Sequence, residues 1–97
     1  MGKLALIATI KTVPGKRGEY LKHLKAHLLR YLTTEPGTVK FEIMVPHDQV
    51  DTVMLYEVYA SQEAFETHWN DRAKQAANKD LEHLRVSATG VRCDLVG

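Results

Sequence analysis

Apolar positions change period four times along the chain, and each change marks a new element. Residues 3–12 (Lys-Leu-Ala-Leu-Ile-Ala-Thr-Ile-Lys-Thr) are almost continuously apolar at their centre, which predicts a strand covered on both faces. Pro14-Gly15 then forces a turn. From Lys16 to about Thr33, Tyr20, Leu21, Leu24, Leu28, Tyr31 and Leu32 form one helical stripe. Glu35-Pro36-Gly37 ends that helix, because proline disfavours helix in the residue before it and glycine accepts positive φ. Val39 to Val45 alternates, with Phe41, Ile43 and Val45 on one face, and Val53 to Tyr59 is a third strand. The two are joined by a loop of about seven residues, which predicts a hairpin.

Ser61 is a good helix N-cap, and Glu63 lies in the first turn, where the helix dipole favours an acid. The helix that follows places Phe65, His68, Trp69, Arg72, Ala73 and Ala76 on one side. Its small residues Ala73, Ala76 and Ala77 would permit a close approach, and Asn78-Lys79-Asp80 is the predicted break. A short helical turn through Leu81 and Leu84 leads to a last strand, Val86 to Val96, interrupted at Gly90 by a bulge. The order βαββαβ is that of an α+β, ferredoxin-like fold: a four-stranded antiparallel sheet with two helices on one face. The strands show too little polar alternation for the other face to meet open water, so a second copy packed sheet to sheet is expected.

Ninety-seven residues suffice for one domain spanning residues 1–97 and leave nothing for a second core. A chain of this length buries only about 60–65% of its unfolded surface, a further reason to expect self-association. Charge narrows the partners. Thirteen basic residues against 12 acids leave +1, without the excess expected of a nucleic-acid binder. Lys16, Arg17, Lys22, Lys25 and Arg30 make the outer side of the first helix basic, as a solvated face does. The single cysteine, Cys93, excludes an internal disulfide and reads as a small buried apolar residue. No apolar run approaches the roughly 18 residues needed to cross a membrane. Nor does the start resemble a signal peptide, and a cytoplasmic location is expected.

The histidines at 23, 27, 47, 68 and 83 form no compact motif with carboxylates, so no metal is expected. His23 and His27 are four apart on a helix but lack an evident third ligand, and they read as boundary residues. Glycine-rich phosphate loops and dinucleotide fingerprints are absent, which removes support for a bound nucleotide or flavin.

The stretch Leu55-Tyr-Glu-Val-Tyr-Ala-Ser-Gln-Glu-Ala-Phe-Glu-Thr-His68 resembles the signature of the antibiotic-biosynthesis monooxygenase family. Pro14-Gly15, Glu35-Pro36-Gly37 and the βαββαβ order extend the resemblance over most of the chain. It implies a dimeric α/β barrel and a small-molecule substrate. Family members include cofactor-free quinol and anthrone oxygenases, an isomerase of the phosphorylated quorum signal autoinducer-2, and haem degraders. The haem-degrading pattern of asparagine, tryptophan and histidine does not fit, since His68 stands at the tryptophan position and Asn78 at the histidine position. A second histidine found in many relatives is here Ala73. The resemblance thus implies a cofactor-independent monooxygenase acting on a quinol- or anthrone-like substrate. Its alternatives are an isomerase of a small phosphorylated dione and a non-catalytic ligand-binding dimer.

Six residues are candidates for the site. His68 is the expected acid–base group, because an imidazole titrates near neutrality and an apolar helix face would desolvate a planar ligand. Its structural alternative is a hydrogen bond to Glu57 that locks the strand–helix corner. Glu57, an acid between apolar neighbours on a central strand, must be paired; it is expected to orient His68, to act as the base, or to pair with Arg92 or Arg72. Trp69, Phe65, Tyr59 and Arg72 are candidate substrate contacts, although residues like the first two are more often core than pocket and a buried phenol such as Tyr59 usually bonds to backbone.

Overall fold

The computed structural model describes residues 2–96, with the side chains of residues 72–74, 76 and 77 outside the described set. The chain forms β1 (Leu4–Thr12), α1 (Arg17–Thr34), β2 (Thr38–Met44), β3 (Thr52–Tyr59), α2 (Gln62–Trp69), α3 (Arg72–Glu82) and β4 (Arg85–Asp94). The strands make one sheet in the order β2-β3-β1-β4, every neighbouring pair antiparallel. This is the expected ferredoxin-like sheet.

Register assigns the faces. Along β1 the residues Leu4, Leu6, Ala8 and Ile10 stand beside Tyr59, Glu57, Leu55 and Val53 of β3. Across three strand boundaries this gives an inner row Phe41–Glu57–Leu6–Arg92 and, next to it, Ile43–Leu55–Ala8–Gly90. Helices α1 and α2 pack over β2 and β3. Tyr20, Leu24 and Tyr31 of α1 meet Phe41, Val53 and Leu55 in the main core, which Leu81 and Leu84 complete. A second cluster joins Leu4, Leu6, Tyr59 and Phe65. The outer face carries Ile7, Met44, Tyr56 and Val91, of which Val91 is 63% exposed. Cys93 pairs with Ala5 on that face and is half-buried, not enclosed as expected.

Two expectations about the C-terminal half are corrected. The helix after Ser61 stops at Trp69, and the break falls at Asn70-Asp71 instead of Asn78–Asp80, which lie inside α3. Asn70 closes α2 with its N–H on the Glu66 carbonyl, and the Asp71 carbonyl accepts from Gln75 to begin α3. Asn and Asp favour such ends because their side chains compete for backbone hydrogen bonds. Gly90 sits in continuous register opposite Ala8, and the irregularity lies between Lys11 and Thr12 of β1. A side chain at residue 90 would come within 3.2 Å of Leu6 Cδ1, so its glycine reflects close packing and not a bulge. The alanine stripe at 73, 76 and 77 lies outside the described side chains. The Ser61 cap forms as expected, its Oγ accepting from the Ala64 N–H at 3.1 Å.

Candidate functional site

The inner face of the sheet is not filled evenly. A cavity of about 670 Å³ lies between sheet and helices, floored by Leu6, Ala8, Ile10, Ala88 and Gly90 and walled by Leu24, Tyr31, Phe65, Trp69 and Leu81. Two things open it: α1 and α2 lie over β2 and β3, and Ala8, Ala88 and Gly90 occupy inward positions where the β2–β3 half carries Phe41 and Leu55. The volume falls within the roughly 300–1,000 Å³ usual for small-molecule sites.

Glu57 and His68 stand on the wall nearest the core and are among its few buried polar residues, 4% and 2% exposed. Strand alternation brings Glu57 and Tyr59 to one face, and the Tyr59 phenol donates to Glu57 Oε1. A buried carboxylate is costly without such a donor. Burial first, and then the Glu57 charge, push the Tyr59 phenol far above its ordinary range, so it stays a donor.

His68 occupies the last turn of α2, and its Nδ1 bonds to Glu35 Oε1. Three rings box the imidazole: Tyr31 edge-on at 4.7 Å between centroids, Tyr59 at 5.3 Å and Phe41 at 6.3 Å. The second ring nitrogen, Nε2, is buried as well. Glu35 comes from the α1–β2 junction, which reaches α2 because residue 37 has no side chain. A Cβ there would lie 2.6 Å from that of Ala64, one helical turn before His68. The Ala60 N–H closes the same seam by donating to the Gly37 carbonyl at 2.9 Å.

Next to His68 on α2, Phe65 and Trp69 stack with their centroids 5.9 Å apart and planes inclined by 24°. The Arg92 guanidinium carbon lies 5.6 Å from the Phe65 centroid. Trp69 is 52% exposed and lines the cavity, whereas Phe65 is buried. The site therefore offers an aromatic ledge with a cation over it, adjacent to a carboxylate and an imidazole.

Of the six candidate residues, Glu57, Phe65, His68 and Trp69 line the cavity. Tyr59 sits behind Glu57 and bonds to its carboxylate, not to backbone. The side chain of Arg72 lies outside the described residues. The sequence reading missed Glu35 as the partner of His68, and Tyr31 and Phe41 as its enclosure. Glu35 was read only as the end of a helix; an acid at a forced helix stop, beside a glycine that permits close approach, was the available signal. His27, expected at a boundary, is half-buried and also lines the cavity, and burial, followed by the Arg30 charge, holds its pKa below the ordinary histidine value.

Fold and cavity together define a single-sheet ferredoxin-like domain with a small-molecule-sized chamber between sheet and helices. The chain belongs to the antibiotic biosynthesis monooxygenase family, whose model matches residues 4–80. A Caulobacter crescentus protein that carries this family name provisionally superposes with a TM-score of 0.92 at 22% identity, over 99% of this chain and 92% of its own. A provisionally named member from Nitrosomonas europaea gives 0.90 at 16% identity, over 99% and 93% of the two chains. A Bacteroides thetaiotaomicron protein of unknown function, described as a possible oxidoreductase, gives 0.87 at 13% identity, over 97% and 98%. At these identities the likeness establishes the fold alone. No curated protein matches the sequence.

Proposed function

We propose that the protein is a cofactor-independent monooxygenase for a small planar, quinol- or anthrone-like substrate. The observation that carries this reading is the placing of a stacked aromatic pair, Phe65 and Trp69, beside a buried acid–base pair, Glu57 and His68, in the lining of one cavity. Such a substrate supplies its own electrons. Removal of a proton leaves a carbanion or phenolate, which reduces dioxygen and combines with it as a peroxide. Loss of water then leaves the carbonyl. For a methylene between two aryl rings the balance is CH₂ + O₂ → C=O + H₂O, with no external reductant.

In this account His68 and Glu57 exchange the proton. A planar ligand pressed against their wall would meet them in a water-poor environment, where charge interactions are strengthened. The anion would lie between the Phe65–Trp69 ledge and the sheet, near the Arg92 guanidinium. Arg72, on α3, remains a proposed contact from its sequence position. We further propose a homodimer formed through the outer sheet faces, where Ile7, Met44 and Val91 are exposed. None of the described helices is long and apolar enough to cross a membrane.

Oxygen consumption with menadiol and with an anthrone tests the reaction. His68→Ala and Glu57→Gln are expected to lower kcat by about 10²–10⁴-fold, the usual contribution of one positioned acid or base. Rates unchanged in both variants, with the fold retained, would contradict the proposal. A second reading, an isomerase that moves a proton α to the carbonyl of a phosphorylated dione, draws on Arg85 and Arg92 on the cavity wall. Deuterium exchange from such a dione under nitrogen, with no oxygen uptake from quinols, would favour it.

A further inference from the structure

We infer that Glu35 is a positioning residue that fixes the tautomer of His68, making Nε2 the basic nitrogen. The inference rests on the reading of His68 as the acid–base group. It begins with the end of α1. Glu35 caps that helix, its N–H still bonded to the Tyr31 carbonyl at 3.1 Å, and Pro36 prevents a further turn. The chain then reverses, with the Thr38 N–H donating to the Glu35 carbonyl at 3.0 Å.

The same reversal fixes the side chain. Thr38 Oγ1 donates to Glu35 Oε1 at 3.0 Å, and that oxygen is also the partner of His68 Nδ1. An ionised carboxylate only accepts, so Nδ1 carries the hydrogen and Nε2 keeps the lone pair. Rotation of the ring to exchange the nitrogens is opposed by Tyr31, Phe41 and Tyr59 around it. The Glu35 side chain is 15% exposed against 1% for His68, so the dyad runs from the molecular surface inward to the cavity wall. Gly37 against Ala64, one helical turn before His68, holds the two partners in register.

The test is the ¹⁵N spectrum of the His68 ring in the full-length chain, assigned by comparison with His68→Gln. In the wild type, Nδ1 should show a protonated, pyrrole-type shift and Nε2 an unprotonated, pyridine-type shift. Glu35→Gln removes the charge and can present either an oxygen or an amino group, so the ring should become a mixture of tautomers. Thr38→Val, nearly isosteric, should produce a smaller change in the same direction. In oxygen-uptake assays Glu35→Gln should lose at least about tenfold in kcat with KM unchanged and a displaced pH profile; Glu35→Asp should recover part of both. A wild-type ring protonated on Nε2 alone, or a tautomer unchanged in Glu35→Gln, would overturn the inference. The spectrum needs no substrate. A tautomer change without any oxygenation would uphold the positioning role and remove the oxygenase reading, whereas His68-dependent oxygenation with an unmoved tautomer would do the reverse.

Discussion

The two halves of the inner sheet face have the same strand period and opposite outcomes. On β2 and β3, Phe41, Val53 and Leu55 meet Tyr20, Leu24 and Tyr31 of α1 and form a packed core. On β1 and β4, Ala8, Ala88 and Gly90 face the same way and leave a chamber. Polarity does not separate them, since each floor is mainly apolar with one inward charge, Glu57 on β3 and Arg92 on β4. Side-chain volume does, together with the placement of α1 and α2 over β2 and β3. Glu57 and His68 lie on the seam between the halves, enclosed enough to need fixed partners and close enough to the chamber to line it.

The packed half should be the more sensitive to truncation. Phe41→Ala removes a core ring that also faces His68, and a loss of about 3–5 kcal/mol is expected in urea unfolding. Val91→Ala, on the exposed outer face of β4, should stay within about 0.5 kcal/mol in the isolated chain. The pair also sharpens the comparison. If a second copy covers the outer face, sedimentation will give twice the 11.0 kDa chain mass. Val91→Asp should then lower that mass toward the monomer, and an unchanged dimer would place the contact elsewhere.

The seam itself comes next. Gly37→Ala puts a methyl where only 2.6 Å separates it from Ala64, and overpacking of this kind costs about 1–3 kcal/mol. Because the same seam carries Glu35 to His68, the His68 ring resonances should move as well. A stable Gly37→Ala protein with unmoved resonances would show that the junction does not hold the dyad.

A smaller effect is expected from pH. Burial raises the phenol pKa values of Tyr20, Tyr31 and Tyr59 above the ordinary value of 10.0. Unfolded phenols lose protons above about pH 10 while these three still hold theirs, so the folded state binds more protons there and stability falls as pH rises. Below pH 10 this contribution is fully present. Tyr59→Phe should make the alkaline decline of Tm shallower, and a decline identical to wild type would place the sensitivity in other groups.

The order of elements was legible because the period of apolar positions switches cleanly at Pro14-Gly15, Pro36-Gly37 and Ser61. These are breakers and a cap whose effects are local. The end of α2 was not, because two Asn/Asp clusters, 70–71 and 78–80, carry similar local signals and tertiary packing decided between them. Glu57 stood out in the sequence as an acid among apolar neighbours, and Tyr59 two residues on shares its face by strand alternation alone. Glu35 and His68 are 33 residues apart, and their meeting depends on Gly37 approaching Ala64. That is a packing fact which no period records. The chamber was equally hidden, since small inward residues at 8, 88 and 90 become a floor only after β1 and β4 have paired.

A ligand site in the unfilled half of the sheet is open to direct test. Trp69, the single tryptophan, lines the chamber, so its fluorescence reports occupancy directly. Titration with a planar quinone, corrected for inner-filter absorption, should quench Trp69 saturably in the wild type. Ala88→Phe, which fills the floor from the sheet side, should abolish saturable quenching while leaving the circular dichroism spectrum intact. Equal saturable quenching in both proteins, or none in the wild type, would contradict the account.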